Sequence, residues 1–466
     1  LRNSLTLQIR QAELIEVESL NTSEVYTMIS RETKVIADAA PQLMIAVQSL
    51  VLVGMIMLYL SWLSTIALSL MGFSIVVGAW IHLHRIAETS AALHDAIKIE
   101  NTMVSRFADL LNGFKEIKLS GRRSAALGEA LSDVSATLVE KKVHTQGLYT
   151  QDFIASQVTF FLMTGVVVFV APMMAKINDV TLGMITTASL FLIGPVSGVV
   201  MAIPLLGRAN AAAEAVAALK QRLSRILSQH DEPQEGIAPF KTDFAAITLD
   251  NLSFHHRRSA GEEGFKVGPI NLSFRRGQIV FITGGNGSGK STLLKLLTAL
   301  YRPETGSIHV DDRPVTGVNI DLYREMFAVV FADNHLFDTL WGQEQIDPEE
   351  VAELFVLLEM QDKVRLDQGR FSTTQLSGGQ KKRLALIGAL LEHRAVYVFD
   401  EWAADQDPHF RRKFYHDILP RLRQAGKTVI AVTHDDKYFD VADVRIHIDS
   451  GEVADIHTRD DKVSPV

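Results

Sequence analysis

The chain has 466 residues, 47% of them hydrophobic, with 46 Lys and Arg against 54 Asp and Glu, a net charge of −8, and no cysteine. That length exceeds what one hydrophobic core fills, so two or more domains are expected. The acidic balance argues against a nucleic-acid partner, and the lack of cysteine excludes disulfides, thiolate metal sites and cysteine nucleophiles.

The apolar excess is not spread evenly. Long apolar runs crowd the first 210 residues, and the remainder has the mixed composition of a globular domain. The chain starts at Leu1, with neither a methionine nor a charged-then-apolar leader, which reads as a sequence with a segment missing before it.

Residues 1–38 set apolar positions at helical spacing (Leu5, Ile9, Leu14, Val17, Leu20) among many charges, predicting an amphipathic helix outside a bilayer. From 39–60 and again from 62–81 the chain is apolar and uncharged for the length that a hydrocarbon core of about 30 Å demands. Leu60-Ser61-Trp62 is then expected to be a tight turn. Residues 82–152 return to charged helical periodicity, with Arg85, Lys98, Arg106, Lys115, Lys118, Arg122, Arg123, Lys141 and Lys142. Two further runs, 153–175 and 185–206, flank a short loop, Lys176 to Thr181, that holds one lysine. The positive-inside rule puts the long basic segments in the cytoplasm and the short turns outside. Pro172, Pro195 and Pro204 are expected to mark kinks.

Residues 207–228 continue helically, and the Pro- and Gly-containing stretch 229–246 reads as a linker. Beyond it, 247–249, 252–254, 270–274 and 279–282 have strand character, with a polar hairpin loop at Arg257–Gly264. The domains are therefore expected at 1–228 (membrane) and 247–466 (globular).

Gly284-Gly285-Asn286-Gly287-Ser288-Gly289-Lys290-Ser291-Thr292 follows the apolar run Ile279–Ile282 and precedes a helix-like stretch. Glycines at this spacing let successive backbone N–H groups turn onto a phosphate chain, and the helix N-terminus adds its positive end. Lys290 supplies a mobile charge, and the Ser291 hydroxyl can ligate Mg²⁺. A nucleoside triphosphate site follows. The buried strand Val396–Phe399 then delivers Asp400 and Glu401, the first suited to Mg²⁺ and the second to polarising a water. Between them Leu376-Ser377-Gly378-Gly379-Gln380 opens another helix, a second anion cradle.

This combination resembles the nucleotide-binding domain of ATP-binding-cassette (ABC) transporters, with the match spanning residues 247–450. The resemblance implies an α/β P-loop NTPase domain behind an α-helical transmembrane exporter domain, with ATP and Mg²⁺ as cofactors. The implied partner is a second copy, the signature Leu376–Gln380 of one chain closing over the γ-phosphate held by the other. His434 matches the switch histidine, and Asp407, in Ala404–Asp407, the loop that crosses the dimer interface. The family's membrane domain carries six spans, so two are expected to be absent here. In Phe399-Asp400-Glu401-Trp402-Ala403-Ala404-Asp405-Gln406-Asp407-Pro408, in Phe371–Thr374 and in Thr433–Phe439, the wording is similar to bacterial cyclic-peptide and siderophore-precursor exporters of the pyoverdine and syringomycin type. This implies a peptide cargo leaving across the inner membrane, with the ATPase domain cytoplasmic.

Two positions depart from the family. His256 stands where a tyrosine usually stacks on adenine, and Ala332 where a glutamine usually meets Mg²⁺. Asp333, next in sequence, is the nearest oxygen donor and a candidate substitute. The rival readings are a lipid flippase on the same scaffold and a membrane-anchored ATP-gated module that transports nothing.

Overall fold

The computed structural model describes residues 1–20, 25–26, 28–174, 177–227, 237–256, 264–333, 335–343 and 346–459. Contacts divide the chain into two compact units. One is Leu1–Thr6 with Asn21–Gln221, the other Leu7–Leu20 with Arg222–Val466.

In chain order the helices of the first half are α1 (Arg2–Gln11), α2 (Leu14–Ser19), α3 (Thr33–Leu63), α4 (Thr65–Asn112), α5 (Phe114–Lys118), α6 (Gly121–Met174), α7 (Asp179–Phe191) and α8 (Ile193–Leu227). Among the described residues three helical segments, Met28–Leu63, Gly121–Val170 and Asp179–Leu223, are long and apolar enough to cross a membrane. The expected span at 62–81 appears as a shorter apolar stretch, Thr65–Trp80, at the start of the 48-residue α4.

The expected turn at Leu60-Ser61-Trp62 is displaced. These residues include no helix breaker, so α3 runs through them and ends at Ser64, in extended conformation (φ −163°, ψ 121°). The Ser64 hydroxyl accepts from the Ala67 amide (3.4 Å) and caps α4. Leu60 is fully buried there with Ala67, Met71, Phe160 and Val167. The fourth apolar run is broken at Leu192 into α7 and α8. Pro195 has no amide for the Phe191 carbonyl, which accounts for the break, whereas Pro172 is accommodated inside α6. Helices α4 and α6 run antiparallel, joined by Arg85–Asp152 (2.8 Å) and Lys142–Glu100 (3.3 Å).

Of the expected linker, 237–246 are described. Of the polar loop Arg257–Gly264 only Gly264 is, and the rest lies outside the described residues. The second unit holds strands β1 (Ala246–His255), β2 (Lys266–Arg275), β3 (Ile279–Thr283), β4 (Thr305–Val310), β5 (Arg313–Pro314), β6 (Phe327–Val330), β7 (Leu366–Asp367), β8 (Arg370–Phe371), β9 (Val396–Asp400), β10 (Thr428–Val432), β11 (Val444–Asp449) and β12 (Glu452–Thr458). The two strands expected at 247–249 and 252–254 are one strand, β1, whose register shifts at Asp250-Asn251 because Asn251 takes a left-handed conformation (φ 50°).

An antiparallel sheet has the order β2-β1-β4-β5, and a six-stranded sheet the order β12-β11-β3-β10-β9-β6. Its strands are parallel except β12. Side chains alternate across this sheet. Val280, Ile282, Val396, Val398, Ile430 and Val432 enter one core with the antiparallel sheet and the helix Lys290–Leu297. Ile279, Phe281, Tyr397, Phe399, Val429 and Ala431 enter a second core with the helix Gly378–Leu391. Burial on both faces is why these strands read as unbroken apolar runs.

Phe281 is fully buried just before the phosphate loop. Phe281→Ala is expected to cost about 3–5 kcal/mol, seen as a lower temperature for loss of nucleotide binding when the chain is heated in detergent.

Candidate active site

Parallel pairing aligns the ends of three strands. Val432 of β10 lies opposite Ile282 of β3 on one side and Asp400 of β9 on the other. One or two residues later the chain reaches Gly284, His434 and Glu401, so segments nearly 150 residues apart share one sheet edge, the carboxyl edge where open α/β sheets bind ligands. Strand β6 ends beside β9, with Val330 opposite Phe399, and brings the turn at Ala332-Asp333 to the same edge.

The phosphate loop has glycine where nothing else fits. A Cβ on Gly284 (φ 148°) would lie 2.1 Å from the Ile448 carbonyl oxygen. Gly289 (φ 101°) turns the chain into the helix Lys290–Leu297. Lys290 is buried, its ammonium donating to the carbonyls of Gly284 (3.0 Å) and Gly285 (2.8 Å). Its charge is thereby held under the loop whose amides would meet phosphate. Ser288 Oγ is buried and, among the described residues, without a hydrogen-bond partner.

Ser291 Oγ donates to Asp400 Oδ2 (3.2 Å). Asp400 Oδ1 is buried and has no hydrogen-bond partner among the described residues. Burial pushes this carboxyl above the usual carboxylate range. The Ser291 hydroxyl opposes this, the negative charges of Glu401 and Asp333 add to it, and the Ala332 amide lowers it. A carboxylate so placed gains from a cation. Among the described residues no three acidic, His or Cys side chains form a metal cage, so any ion there would need oxygens from a ligand.

Glu401 is left-handed (φ 49°), a conformation rare for glutamate and found where the surroundings enforce it. Its Oε1 lies 3.3 Å from His434 Nε2. The next residues of the histidine loop are held by groups that sequence reading missed. Tyr415 OH meets Thr433 Oγ1 (2.6 Å) and donates to Asp435 Oδ2 (3.0 Å), and Arg411 pairs with Asp435 (3.2 Å). Arg411 also donates to the carbonyls of Ala404 (3.2 Å) and Gln406 (3.3 Å). No motif marks Tyr415 or Arg411.

In the signature, Ser377 caps the helix Gly378–Leu391. Its hydroxyl accepts from the Gln380 amide (3.4 Å), and the Gln380 side chain accepts from the Ser377 amide (3.3 Å). Among the described residues the signature glycine Gly379 is tied to the loop after Glu401, and no hydrogen bond joins Ser377–Gln380 to the phosphate loop. Gln406 Nε2 donates to the Gly379 carbonyl (3.0 Å), and Arg383 bonds Gln406 (2.9 Å) and Asp407 (2.8 Å). Asp407 caps the next helix through the Phe410 amide (3.0 Å). That bond, opposed by partial burial and helped by Arg383, lowers its pKa.

His256 Nε2 lies 3.0 Å from Thr292 Oγ1, at the foot of the phosphate loop, while His255 turns away to Glu304 (2.6 Å). The His256 ring stands edge-on to Phe254 and Tyr301. Burial and the Lys295 charge push it below the ordinary histidine range, against the pull of Glu18. Glu18 pairs with Lys295 (2.8 Å) and accepts from Tyr301 OH, and Glu13 pairs with Arg302 (3.0 Å) and Arg324 (3.2 Å). The part of the expected amphipathic segment that holds Glu13 and Glu18 thus packs beside the phosphate-loop helix. The signal was the pair of acids, but their partners lie 277 and 311 residues away.

A family model described as ABC transporter matches residues 267–404. The chain is 34% identical over 411 residues to the ATP-binding protein SyrD of Pseudomonas syringae pv. syringae, an alignment covering 84% of this chain and 70% of that protein. It is 25% identical to the ATP-dependent lipid A-core flippase of Neisseria meningitidis serogroup B, covering 98% of this chain and 72% of that one. In fold it is similar to a bacterial Atm1-family ABC exporter solved with ATP bound. That match has a TM-score of 0.81 and covers 98% of this chain and 82% of the other, at 19% identity. With a relative so similar over so much of its length, the chain belongs to the ABC transporter family, as a membrane-embedded exporter with its own ATP-hydrolysing domain.

Proposed function

We propose that the chain exports a peptide-like cargo from the cytoplasm across the bacterial inner membrane, working as a homodimer by alternating access coupled to ATP hydrolysis. The observation that carries the ATPase part is the meeting of Lys290, Ser291, Asp400, Glu401 and His434 at one sheet edge. In this reading Gly284–Thr292 and Lys290 hold the triphosphate, His256 faces the base, and Glu401 accepts a proton from the attacking water. His434, within reach of Glu401, contacts the γ-phosphate. Ser377 and the glycines of the signature serve the nucleotide of a second copy, in keeping with the absence, among the described residues, of hydrogen bonds from them to their own phosphate loop.

Ser291 and Asp400 suit Mg²⁺, a hard ion that takes one or two protein oxygens and completes its shell with phosphate and water. The buried, unpartnered Oδ1 of Asp400 is the feature that fits it. When bound, the ion would neutralise charge on the phosphates, and Asp333 is the further carboxylate close enough to act on Asp400.

The peptide reading draws on the similarity to SyrD and on the Trp402 and Thr433–Phe439 wording. A cavity of about 1,020 Å³ in the helical unit supports it, since Arg31, Glu32, Lys142 and Arg208 share its wall with Val35, Leu93 and Ile97. The similarity to a lipid A-core flippase favours lipid as the second reading. Reconstitution into proteoliposomes decides between them. Stimulation of ATPase with vesicular uptake of an amphipathic peptide supports the first, whereas stimulation and translocation with lipid A-core alone overturn it.

Glu401→Gln is expected to reduce turnover about 10²–10⁴-fold, the range for loss of a general base, while ATP binding is kept. Equilibrium nucleotide binding and single-turnover assays check both. Asp333→Ala is expected to raise several-fold the Mg²⁺ concentration for half-maximal ATPase, with Ala332→Gln in that background restoring it. A Mg²⁺ titration that is the same in Asp333→Ala and the parent removes Asp333 from the metal site.

A further inference from the structure

Trp402 directly follows Glu401 and is only 1% exposed. Its indole is stacked on Phe414, with centroids 4.5 Å apart and planes at 26°. Its Nε1–H donates to the backbone carbonyl of Lys382 (2.8 Å), in the helix that the signature opens. The bond is returned, since Lys382 Nζ donates to the backbone carbonyl of Glu401 (3.2 Å) and pairs with Asp405 (2.8 Å). Each segment's side chain therefore holds the other segment's backbone, and Lys382 is itself buried.

Gln406, also buried, adds a second tie through the Gly379 carbonyl and Arg383. The two segments meet with no space between them, since a Cβ on Gly379 would fall 2.7 Å from the Asp405 carbonyl oxygen. The signature turn cannot move against the Glu401 turn without stranding buried polar groups, and the left-handed backbone of Glu401 is held by one of them.

We propose that Trp402 is a positioning residue that makes the signature turn and the Glu401 turn one rigid body. Closure of Ser377 on a second copy's nucleotide then sets Glu401 against the nucleotide of its own chain. The two ATP sites of a dimer are thereby linked through each chain rather than acting separately. The inference rests on the composite site of the preceding subsection. Trp402 touches neither nucleotide nor water in this role.

Trp402→Phe keeps a ring against Phe414, removes the N–H donor and leaves unfilled the space of the rest of the indole. It is expected to lower kcat about tenfold, equivalent to about 1.4 kcal/mol of barrier, with the KM for ATP within about twofold of the parent. The Hill coefficient for ATP should fall towards one, a change that general loosening of the fold would not produce. Lys382→Met breaks the lock from its other side and should do the same. The double variant should lose less than the product of the two single losses, because the two different bonds hold the same pair of segments together. A Trp402→Phe chain whose kcat and Hill coefficient both stay within about twofold of the parent overturns the proposal, as do losses that multiply in the double variant. Should Trp402→Phe fail to fold, an unchanged Hill coefficient in Lys382→Met overturns it instead. Mixing Lys290→Ala with Ser377→Arg chains separates the two levels. One recovered site beside a silent Trp402→Phe sinks the lock alone, and no recovery sinks the composite site on which the lock rests.

Discussion

The arrangement of the candidate catalytic side chains depends on the position of β10 between β3 and β9. Because all three are parallel and in register, their carboxyl ends arrive level, and the phosphate loop, the acidic pair and the histidine begin at the same height. A one-residue slip in either pairing would turn alternate side chains to the wrong core and displace one of the three loops. The strands can hold that register because both faces are packed, so every residue of β3, β9 and β10 has an apolar or hydrogen-bonded place. Burial of both faces keeps the sheet together and fixes the geometry at its edge.

At that edge the fold retains features that cost stability. Asp400 is desolvated with one oxygen unpartnered, Glu401 occupies a left-handed turn, and the Lys290 ammonium is buried under its own loop. Each would be eased or used by a bound nucleotide and its cation. Around them the packing is dense and extensively hydrogen-bonded. Tyr415, Thr433, Asp435 and Arg411 brace the histidine loop, and Trp402, Lys382, Gln406 and Arg383 brace the acidic one. Arg411 joins the two braces through the carbonyls of Ala404 and Gln406. The strained groups are thus set in rigid surroundings, as preorganised electrostatic catalysis requires.

In the helical unit the governing constraint is continuity of backbone hydrogen bonding. Helices α3, α4 and α6 run on from apolar into charged sequence without a break, since neither a change of polarity nor a serine in mid-helix ends a helix. The chain reverses only where a capping side chain such as Ser64 or Asn178 takes up the exposed amides. Polarity marked where the apolar stretches lie, and caps decided where the helices end.

How much of this was legible from the residues alone follows the same division. The phosphate loop, the signature and the acid-tipped strand could be read because each is a local arrangement whose chemistry needs particular residues at fixed spacing. The buried strands could be read because burial on both faces leaves an unbroken apolar run. The departures at His256 and Ala332 were visible as letters, but what surrounds them was not. Only the tertiary structure brings Thr292 to His256, sets Asp333 near Asp400, joins Lys382 to Glu401, and lays Glu13 and Glu18 against residues about 300 positions away. Such pairings come from strand order and helix packing, and no spacing along the chain encodes them. The same holds for β1, where local pattern suggested two strands and the sheet, by absorbing Asn251 as a bulge, made them one. Sequence by itself determined which chemistry the chain carries, because that chemistry is short-range. Tertiary structure alone decided which side chains hold it in place, because those contacts are long-range and depend on shape.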